Sequence, residues 1–269
     1  MPNIFFTEVK NMRLFVLKKK HLIPLCGIFL AIGIVCVLKF SDPHSVHTAA
    51  VKRELPIYCV ATDEKKVALS FDAAWGNEDT ELLIDILGKY NVPATFFVVG
   101  EWVDKYPESV KALSDAGHDI MNHSNTHPHM PKLSAEQMKS EINTCNSKIE
   151  SVTGKCPTLF RMPYGDYNDL TVTTVRELNM YPIQWDVDSL DWKGLSADEI
   201  CKRVTSKVKS GSIVLFHNAA ENTPASLAPI IETLKNDGYE FVKIADLIYK
   251  ENYTIDNAGM QHMNEKKLL

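Results

Sequence analysis

The chain has 269 residues, a formal net charge of −5 and a hydrophobic fraction of 45%. This apolar content excludes a wholly disordered protein, and 12 glycines with 13 prolines are too few for a fibrous or low-complexity one. The weakly acidic balance argues against a polyanion-binding surface, so we expect no nucleic acid partner.

An uncharged apolar stretch, Leu22–Leu38, follows a cluster of positive residues that ends in Lys18, Lys19 and Lys20. The positive-inside rule puts residues 1–21 in the cytoplasm and everything after the stretch outside. Its seventeen residues just reach the length of a transmembrane anchor, which is the interpretation we favour. A signal peptide cleaved near Thr48-Ala49-Ala50 and a buried core helix are the alternatives.

Composition divides the rest of the chain into three parts. Residues 39–64 are mixed polar and predict a linker with a short strand near its end. Residues 65–249 carry regular periodicity and predict the folded domain. Residues 250–269 are polar and aperiodic and predict a loose tail. Cys145 and Cys156 are close enough in sequence to form a disulfide, although a domain of this size does not need one.

Short apolar runs alternate with amphipathic segments about seven times between residues 65 and 249. This alternation predicts a single α/β domain with a parallel sheet. The predicted strands are 67–71, 95–99, 120–121, 158–160, 182–187, 213–216 and 241–242, and the predicted helices are 79–90, 107–116, 135–153, 171–178, 197–208 and 224–237.

Five polar clusters each fall where a predicted strand gives way to a loop. In parallel α/β folds the functional residues gather at that end of the strands. One cluster alone is weak evidence, because an aspartate there is usually a helix cap and a histidine is usually structural. The clusters are Asp72, His123 with His127, Arg161–Gly165, Asp188–Trp192, and His217 with Asn218.

The residue types in these clusters suggest metal-assisted hydrolysis. Two imidazoles with a short spacer, His123 and His127, can hold one divalent cation and leave positions open for water and substrate. Such a cation lowers the pKa of its water and polarises a carbonyl. A carboxylate such as Asp72 can accept the water's proton, and a separate imidazole such as His217 can protonate the leaving group.

The motifs resemble those of the NodB-homology polysaccharide deacetylases, carbohydrate esterase family 4. In chain order they are Ser-Phe-Asp, His-Ser-x-x-His, Arg-x-Pro-Tyr-Gly, Asp-x-x-Asp-Trp, and an apolar run that ends in His. The resemblance covers Lys65 to Tyr249 and implies a distorted (β/α) barrel. The variant Ser70–Gly76, with the sequence SFDAAWG, resembles the sporulation branch of the PdaB type.

The resemblance also implies catalytic roles. By position, Asp72 is the catalytic base and His217 the catalytic acid. Arg161 pairs with Asp72, and Asp191 holds the imidazole of His217 in its protonated state.

Further roles follow from the same resemblance. His123 and His127 are the implied metal ligands. The backbone N–H of Tyr164 is the implied donor to the oxyanion. Trp192 and Leu215 are the implied walls of the acetyl pocket.

One position departs from the family pattern. The first motif usually has two adjacent aspartates, of which the second binds the metal, but this chain has Ala73 there. A site of two histidines lacks an anionic ligand, so we expect a divalent metal, zinc by ligand type, to be held weakly. Glu78 or Asp79 could substitute as the third ligand. The open outcomes are a weak metal site, a different ligand set, or a protein that only binds sugar.

Together these features predict an anchored hydrolase that removes N-acetyl groups from amino sugars of peptidoglycan outside the cytoplasm. Two alternatives are an O-acetyl esterase acting on a polysaccharide such as acetylated xylan, and a glycan-binding pseudoenzyme. Asp72, Arg161, Asp191 and His217 favour catalysis, because a binding module has no need of acid–base pairs. Whether the target is N-acetylglucosamine or N-acetylmuramic acid stays open.

Overall fold

A computed structural model describes residues 53–264. The predicted anchor, Leu22–Leu38, and the predicted cytoplasmic segment 1–21 therefore lie outside the described residues. None of the helices between residues 53 and 264 combines the length and the apolar character that crossing a bilayer requires.

The described region alternates strands with helices, as the periodicity predicts. The strands are β1 Cys59–Val60, β2 Lys66–Ala73, β3 Ala94–Val98, β4 Asp119–Asn122, β5 Leu159–Arg161, β6 Tyr181–Ile183, β7 Val187–Asp188, β8 Ser212–His217, β9 Glu240–Phe241, β10 Tyr253–Ile255 and β11 Met260–Met263. The helices are α1 Thr80–Lys89, α2 Gly100–Lys105, α3 Pro107–Asp115, α4 Ala135–Thr153, α5 Asp169–Glu177, α6 Ala197–Thr205, α7 Thr223–Asn236 and α8 Ile244–Leu247.

The strands form one sheet in the order β10-β11-β1-β8-β2-β3-β4-β5-β6, with β7 beside β8 and β9 beside β2. The pairs from β8 through β2 to β6 are parallel, which confirms the predicted parallel α/β arrangement. A parallel bridge joins Ile57 to Ile183, so the segment before β1 contacts the far edge strand. The sheet is therefore curled into a partial barrel.

Two helices start at the capping boxes that their sequences encode. Ser134 accepts a hydrogen bond from the backbone of Gln137, whose side chain in turn accepts from the Ser134 N–H. Ser196 and Glu199 make the same reciprocal pair at the start of α6. Each box satisfies backbone donors that a helix end leaves unpaired.

Strand β2 separates the interior of the curled sheet from its helix-covered face. Phe71 and Ala73 belong to the apolar cluster that the surrounding helices cover, whereas Ala68 packs in the cluster of the sheet's other face. Successive side chains of a strand point to opposite faces. The alternation places Asp72 on the interior side, at the end of its strand.

The prediction of a loose tail at residues 250–269 is wrong for most of that segment. Strands β10 and β11 form an antiparallel hairpin, and β11 pairs with β1 in parallel. The amide of Gln261, which is fully buried, exchanges two hydrogen bonds with the backbone of Tyr249. The tail thus completes the sheet, although its own sequence lacks the apolar alternation of a strand.

Three smaller differences concern boundaries and cysteines. The predicted linker 39–64 already belongs to the domain from Ile57 onward, because that residue bridges to β6. The predicted strand 182–187 is divided into β6 and β7. Cys145 and Cys156 are both free thiols, so they do not form the disulfide that their spacing allows.

Candidate active site

The five predicted clusters meet at one edge of the sheet. Asp72 and His217 are register partners on the adjacent parallel strands β2 and β8. His123 follows β4 directly, and Arg161 is the last residue of β5. Because these strands are parallel, their carboxyl ends place Asp72, His123 and His217 around one pocket, with Arg161 behind Asp72.

Asp72 is bound to the guanidinium of Arg161. The distance from Nη1 to Oδ1 is 2.7 Å, and Nη2 donates to the hydroxyl of Ser70 at 2.8 Å. Arg161 is fully buried, with its guanidinium carbon 4.1 Å from the ring centre of Phe97. Burial, the largest single effect, would raise the pKa of Asp72, but the charge of Arg161, the neighbouring His123 and His217 and the hydrogen bond from Arg161 together outweigh it, so the net pKa is lowered. The carboxylate is therefore ionised at neutral pH.

Asp191 holds His217 through both carboxylate oxygens. Oδ1 lies 2.8 Å from the imidazole Nδ1, and Oδ2 accepts the backbone N–H of His217 at 2.7 Å. The hydroxyl of Thr223 donates to the same Oδ2 at 2.7 Å. Burial alone would lower the pKa of His217, but the hydrogen bond to Asp191 and the nearby carboxylate charges raise it overall. This environment favours the protonated imidazole.

The hydrogen-bond partners of His123 determine which of its ring nitrogens carries the hydrogen. Its Nδ1 lies 2.8 Å from the carbonyl oxygen of Arg161, which can only accept, so Nδ1 carries the hydrogen. Burial lowers the pKa of His123, so the ring is neutral and Nε2 presents a lone pair. That Nε2 lies 3.5 Å from Oδ2 of Asp72, which is also an acceptor. Nε2 of His123 and Oδ2 of Asp72 are thus two lone-pair donors that face each other in a buried site, and this arrangement suits a cation bound between them.

A carboxylate on helix α4 fixes the loop that carries His127. Glu141 accepts hydrogen bonds from the backbone N–H groups of Asn125 and Thr126 and from the Thr126 hydroxyl. The N–H of His127 donates to the hydroxyl of Ser124 at 3.0 Å. Burial and the adjacent His123 lower the pKa of His127 to about 4, so this imidazole is neutral too.

The two histidines are suited to a metal ion, but the rest of the site is incomplete. The ring centres of His123 and His127 are 4.9 Å apart, and each neutral ring can offer a nitrogen lone pair to a metal ion. Within residues 53–264, no group of three or more His, Cys, Asp or Glu side chains is arranged to hold a metal ion. Ala73 contributes only a buried methyl group. Glu78 accepts the backbone N–H of Asn77 in its own loop, and Asp79 accepts the backbone N–H of Ala219 in the loop after β8. These residues do not make a complete site for a tightly held metal.

The pocket has a volume of about 380 Å³. The predicted substrate-contacting residues Tyr164, Trp192 and Leu215 all line it. It also brings together the predicted catalytic and metal-binding side chains Asp72, His123, His127 and His217, while Arg161 and Asp191 lie behind Asp72 and His217.

Five residues that line the pocket were given no role from the sequence: Ala74, Trp75, Gly165, Trp185 and Asp188. Trp75 is 64% exposed, which is unusual for so large an apolar side chain. Its place three residues after Asp72 was the signal that could have identified it. Trp185 lies in the middle of a predicted strand, and nothing in its spacing distinguishes it from a core residue.

Backbone strain is concentrated around the pocket. Of the eight non-glycine residues with positive φ among residues 53–264, five lie in the loops at this end: Ser124, His127, Tyr164, Leu190 and Ala219. Such residues collect at functional sites, where surrounding structure holds them in place. Tyr164, with φ of 60°, is packed between the rings of His127 and His129, whose centres are 4.4 and 4.3 Å away.

Comparison with known proteins agrees with this geometry. The family model described as polysaccharide deacetylase matches residues 60–183. The peptidoglycan-N-acetylmuramic acid deacetylase PdaA of Bacillus subtilis is 32% identical over 72% of this chain and 75% of its own length. The chain belongs to the polysaccharide deacetylase family. The NodB-homology resemblance is thereby confirmed at the level of the family.

Other members of the polysaccharide deacetylase family show how varied it is. The peptidoglycan-N-acetylglucosamine deacetylase PgdA of Listeria monocytogenes is 37% identical over 76% of this chain, which spans only 42% of the Listeria protein. A family 4 pseudoenzyme from Bacillus anthracis is 34% identical in its crystal structure, with a TM-score of 0.71 over 78% of this chain and 74% of that one. A mutant of that pseudoenzyme has restored enzymatic activity and the same TM-score of 0.71, at 36% identity over 73% of this chain and 72% of that one.

Proposed function

We propose that this protein is a deacetylase that hydrolyses N-acetyl groups on amino sugars of peptidoglycan. The observation that carries the proposal is the pair of buried dyads, Asp72 with Arg161 and His217 with Asp191, facing one pocket. One dyad keeps a carboxylate ionised, and the other keeps an imidazole protonated. A base and an acid with opposite charge states are what acyl transfer from an amide requires.

The proposed reaction uses these two groups in turn. Asp72 accepts a proton from water while the water oxygen bonds to the carbonyl carbon of the acetamide. The backbone N–H of Tyr164 donates to the oxygen that becomes negative. His217 then gives its proton to the amide nitrogen as the C–N bond breaks, so the products are acetate and a free amino sugar. A divalent cation held weakly by His123 and His127 would supply Lewis acidity.

Two relatives support the substrate assignment. One is a peptidoglycan-N-acetylglucosamine deacetylase and the other a peptidoglycan-N-acetylmuramic acid deacetylase. The pocket is lined by Trp75, Trp185 and Trp192, whose rings suit the apolar face of a sugar.

A second candidate is a glycan-binding pseudoenzyme. Ala73 favours it, because this residue replaces an anionic ligand, and so does the similarity to a family 4 pseudoenzyme. The acid–base dyads argue against it, since a pocket that only binds sugar gains nothing from an ionised Asp72 and a protonated His217.

We further propose that the domain lies outside the cytoplasm, anchored by Leu22–Leu38. The uncharged stretch and its preceding lysines support this placement. The variant Ser70–Gly76 supports a role in sporulation through its resemblance to the PdaB type.

The deciding experiment is mass spectrometry of peptidoglycan after incubation with the full chain in mild detergent. Loss of acetyl from glycan fragments supports the deacetylase, and fragment masses identify which amino sugar has lost it. Acetate release from acetylated xylan but not from peptidoglycan would indicate an O-acetyl esterase. Glycan binding without any acetate release would indicate the pseudoenzyme.

A further inference from the structure

The loop after β2 carries the proposed base strand into the wall of the pocket. Ala74 and Trp75 of this loop line the pocket, and Trp75 also borders an adjoining cavity of about 400 Å³. The ring of Trp75 is 64% exposed and meets His127 edge-on at a centroid distance of 5.3 Å. So exposed a ring gains little from packing, so its position depends on the backbone that carries it. Whatever holds this loop therefore sets the shape of the pocket beside the proposed chemistry.

A metal ion cannot hold this loop through its side chains. In the family pattern an aspartate at position 73 binds the metal, and a cation shared with His123 and His127 would then join the loop to the end of β4. In this chain residues 73–76 are Ala, Ala, Trp and Gly. Their side chains carry no oxygen, sulfur or lone-pair nitrogen that could bind a cation. The loop beyond Asp72 needs a different attachment.

The side chain of Asn218 supplies that attachment. Its buried amide accepts the N–H of Ala74 at 3.2 Å and donates to the carbonyl oxygens of Trp75 and Gly76, at 2.5 and 2.8 Å. One amide offers an acceptor and two donor hydrogens, and both kinds of group are used here. Three successive residues of the loop are thus bound to one side chain. Backbone groups that lost these partners would be left unpaired, which is costly where they are buried.

The backbone around Asn218 extends the contact between the two strands. Its N–H donates to the carbonyl oxygen of Asp72 at 3.1 Å, one residue beyond the register pair of Asp72 and His217. The N–H of Ala219 donates to Oδ2 of Asp79 at 2.9 Å. The residue that directly follows the proposed acid therefore holds the end of the proposed base's strand and the loop after it.

Gly76 shows how closely the two loops approach. Its φ is +55°, and a Cβ atom there would lie 3.0 Å from the Cβ of Ala219 and 2.3 Å from Oε2 of Glu78. The indole N–H of Trp102 donates to the same Gly76 carbonyl as the amide of Asn218, at 2.5 Å. The loop after β2 is therefore enclosed on the side away from the pocket, and only the ring of Trp75 projects from it.

We infer that Asn218 is a positioning residue, which holds the Trp75 loop in the place where the family pattern uses a metal ligand. The kinetic part of this inference rests on the proposed function. Asp72 itself is paired with β3 and β8 on either side, so its place does not depend on the Asn218 side chain. Loss of that side chain should therefore affect substrate binding through Trp75 more than the chemical step.

The test reads the order of Trp75 directly, without any metal. Full-length protein in mild detergent is labelled with 5-fluorotryptophan, and the fluorine resonances of its four tryptophans are assigned by Trp→Phe substitutions. Spectra are recorded in EDTA for the wild type, Asn218→Ala and Asn218→Leu. The leucine variant keeps the volume of the side chain and removes its hydrogen bonds. Asn222→Ala is the matched control, because Asn222 lies in the same loop but its amide donates to Leu195, at 3.0 Å.

We expect one narrow Trp75 resonance in the wild type and in Asn222→Ala, and a broadened or divided one in both Asn218 variants. Kinetics on peptidoglycan fragments are measured separately, with zinc added. Both Asn218 variants should raise KM by about two- to tenfold, which is the cost of ordering one side chain on binding. Their kcat should stay within about twofold of the wild type, because a change in KM alone reports lost binding.

Three results would overturn the inference. The first is a narrow Trp75 resonance in Asn218→Leu, which would reduce the role of Asn218 to filling space. The second is a wild-type resonance that is broad in EDTA and narrows with zinc, which would show that a metal holds the loop. The third is a KM that does not change in either variant. A wild type that releases no acetate at all would instead contradict the proposed function, and the resonances in EDTA would still decide whether Asn218 holds the loop.

Discussion

The carboxylate of Asp191 contacts His217 twice, once at the imidazole Nδ1 and once at the backbone N–H, at 2.8 and 2.7 Å. The first contact sets the protonation of the ring, and the second sets its position at the end of β8. A single buried side chain thus couples the chemistry of the proposed acid to the geometry of its strand.

This coupling predicts a shift in the pH dependence of the reaction. An acid works while protonated, so activity is lost as pH rises through the pKa of His217, which is raised above 6.5. Asp191→Asn removes the charge that raises it, so the alkaline limb of the pH–rate profile should move to lower pH. Thr223→Val, which removes an uncharged donor to the same carboxylate, should move the limb much less. A profile that falls only in height would contradict the proposed role.

Substitution of the acid and the base should each reduce acetate release while leaving the fold intact. Asp72→Asn preserves the shape of the side chain and removes the base, and His217→Ala removes the acid. Each should lower kcat by about 10²- to 10⁴-fold, which is the usual contribution of a general acid or base. His262→Ala is a matched control, because that imidazole also contacts a carboxylate, Asp256 at 2.9 Å, but does not line the pocket. Near-normal activity of Asp72→Asn would show that another group is the base.

Metal content should be low and should respond to position 73. Two neutral imidazoles provide no charge compensation, so dialysis against a chelator should strip the wild-type protein readily. Ala73 is 1% exposed, so the carboxylate of Ala73→Asp should lower the melting temperature unless a cation neutralises it. Zinc should then raise the melting temperature of Ala73→Asp but hardly that of the wild type.

The double variant Ala73→Asp with His123→Ala is the control for this prediction, and it should not respond to zinc. A wild-type chain that keeps one metal ion through dialysis would show that a third ligand exists.

A buried histidine far from the proposed chemistry predicts acid sensitivity. His118 is 4% exposed, its Nδ1 accepts the N–H of Ala94, and its Nε2 has no hydrogen-bond partner. Burial lowers its pKa to about 4, so the unfolded chain takes up this proton near pH 6.5 and the folded chain does not. The free energy of unfolding should fall by about 3 kcal/mol as pH drops from 6.5 to 4. His118→Gln should flatten that part of the curve in urea unfolding, and an unchanged slope would contradict the assignment.

The proposed topology can be tested on intact protoplasts. With residues 1–21 inside and the domain outside, external protease should remove the domain, and the protein should fractionate with membranes. Replacing Lys18, Lys19 and Lys20 by glutamine weakens the charge asymmetry and should reduce correct insertion. A domain that resists protease until the protoplasts are lysed would contradict an external location.

The sequence predicted best those features that depend on local periodicity. Helices α4 and α6 start at Ala135 and Ala197, as predicted, and the parallel strands bring Asp72 and His217 together because both residues lie at the carboxyl end of a strand. Helix α2, Gly100–Lys105, was missed because six residues are too few to show a helical stripe.

Features that depend on distant partners could not be predicted in this way. Strand β11 is stabilised by β1, about two hundred residues earlier, and its own residues carry no clear alternation. The position of Trp75 also depends on distant residues, because Asn218 holds its backbone carbonyl and its side chain lines two cavities.

The pairing of β1 with β8 and β11 also constrains when the domain can finish folding. The first strand emerges from the ribosome long before either partner, so Cys59 cannot pair until β8 has been made, and the pairing of β1 is not complete until residues 260–263 have been made. Contacts of such long sequence separation form slowly, because loop closure must come first. The edge of the sheet that β1 forms with β11 is therefore completed only after residues 260–263 have been synthesised, whereas the strands β2 to β6 can pair before then.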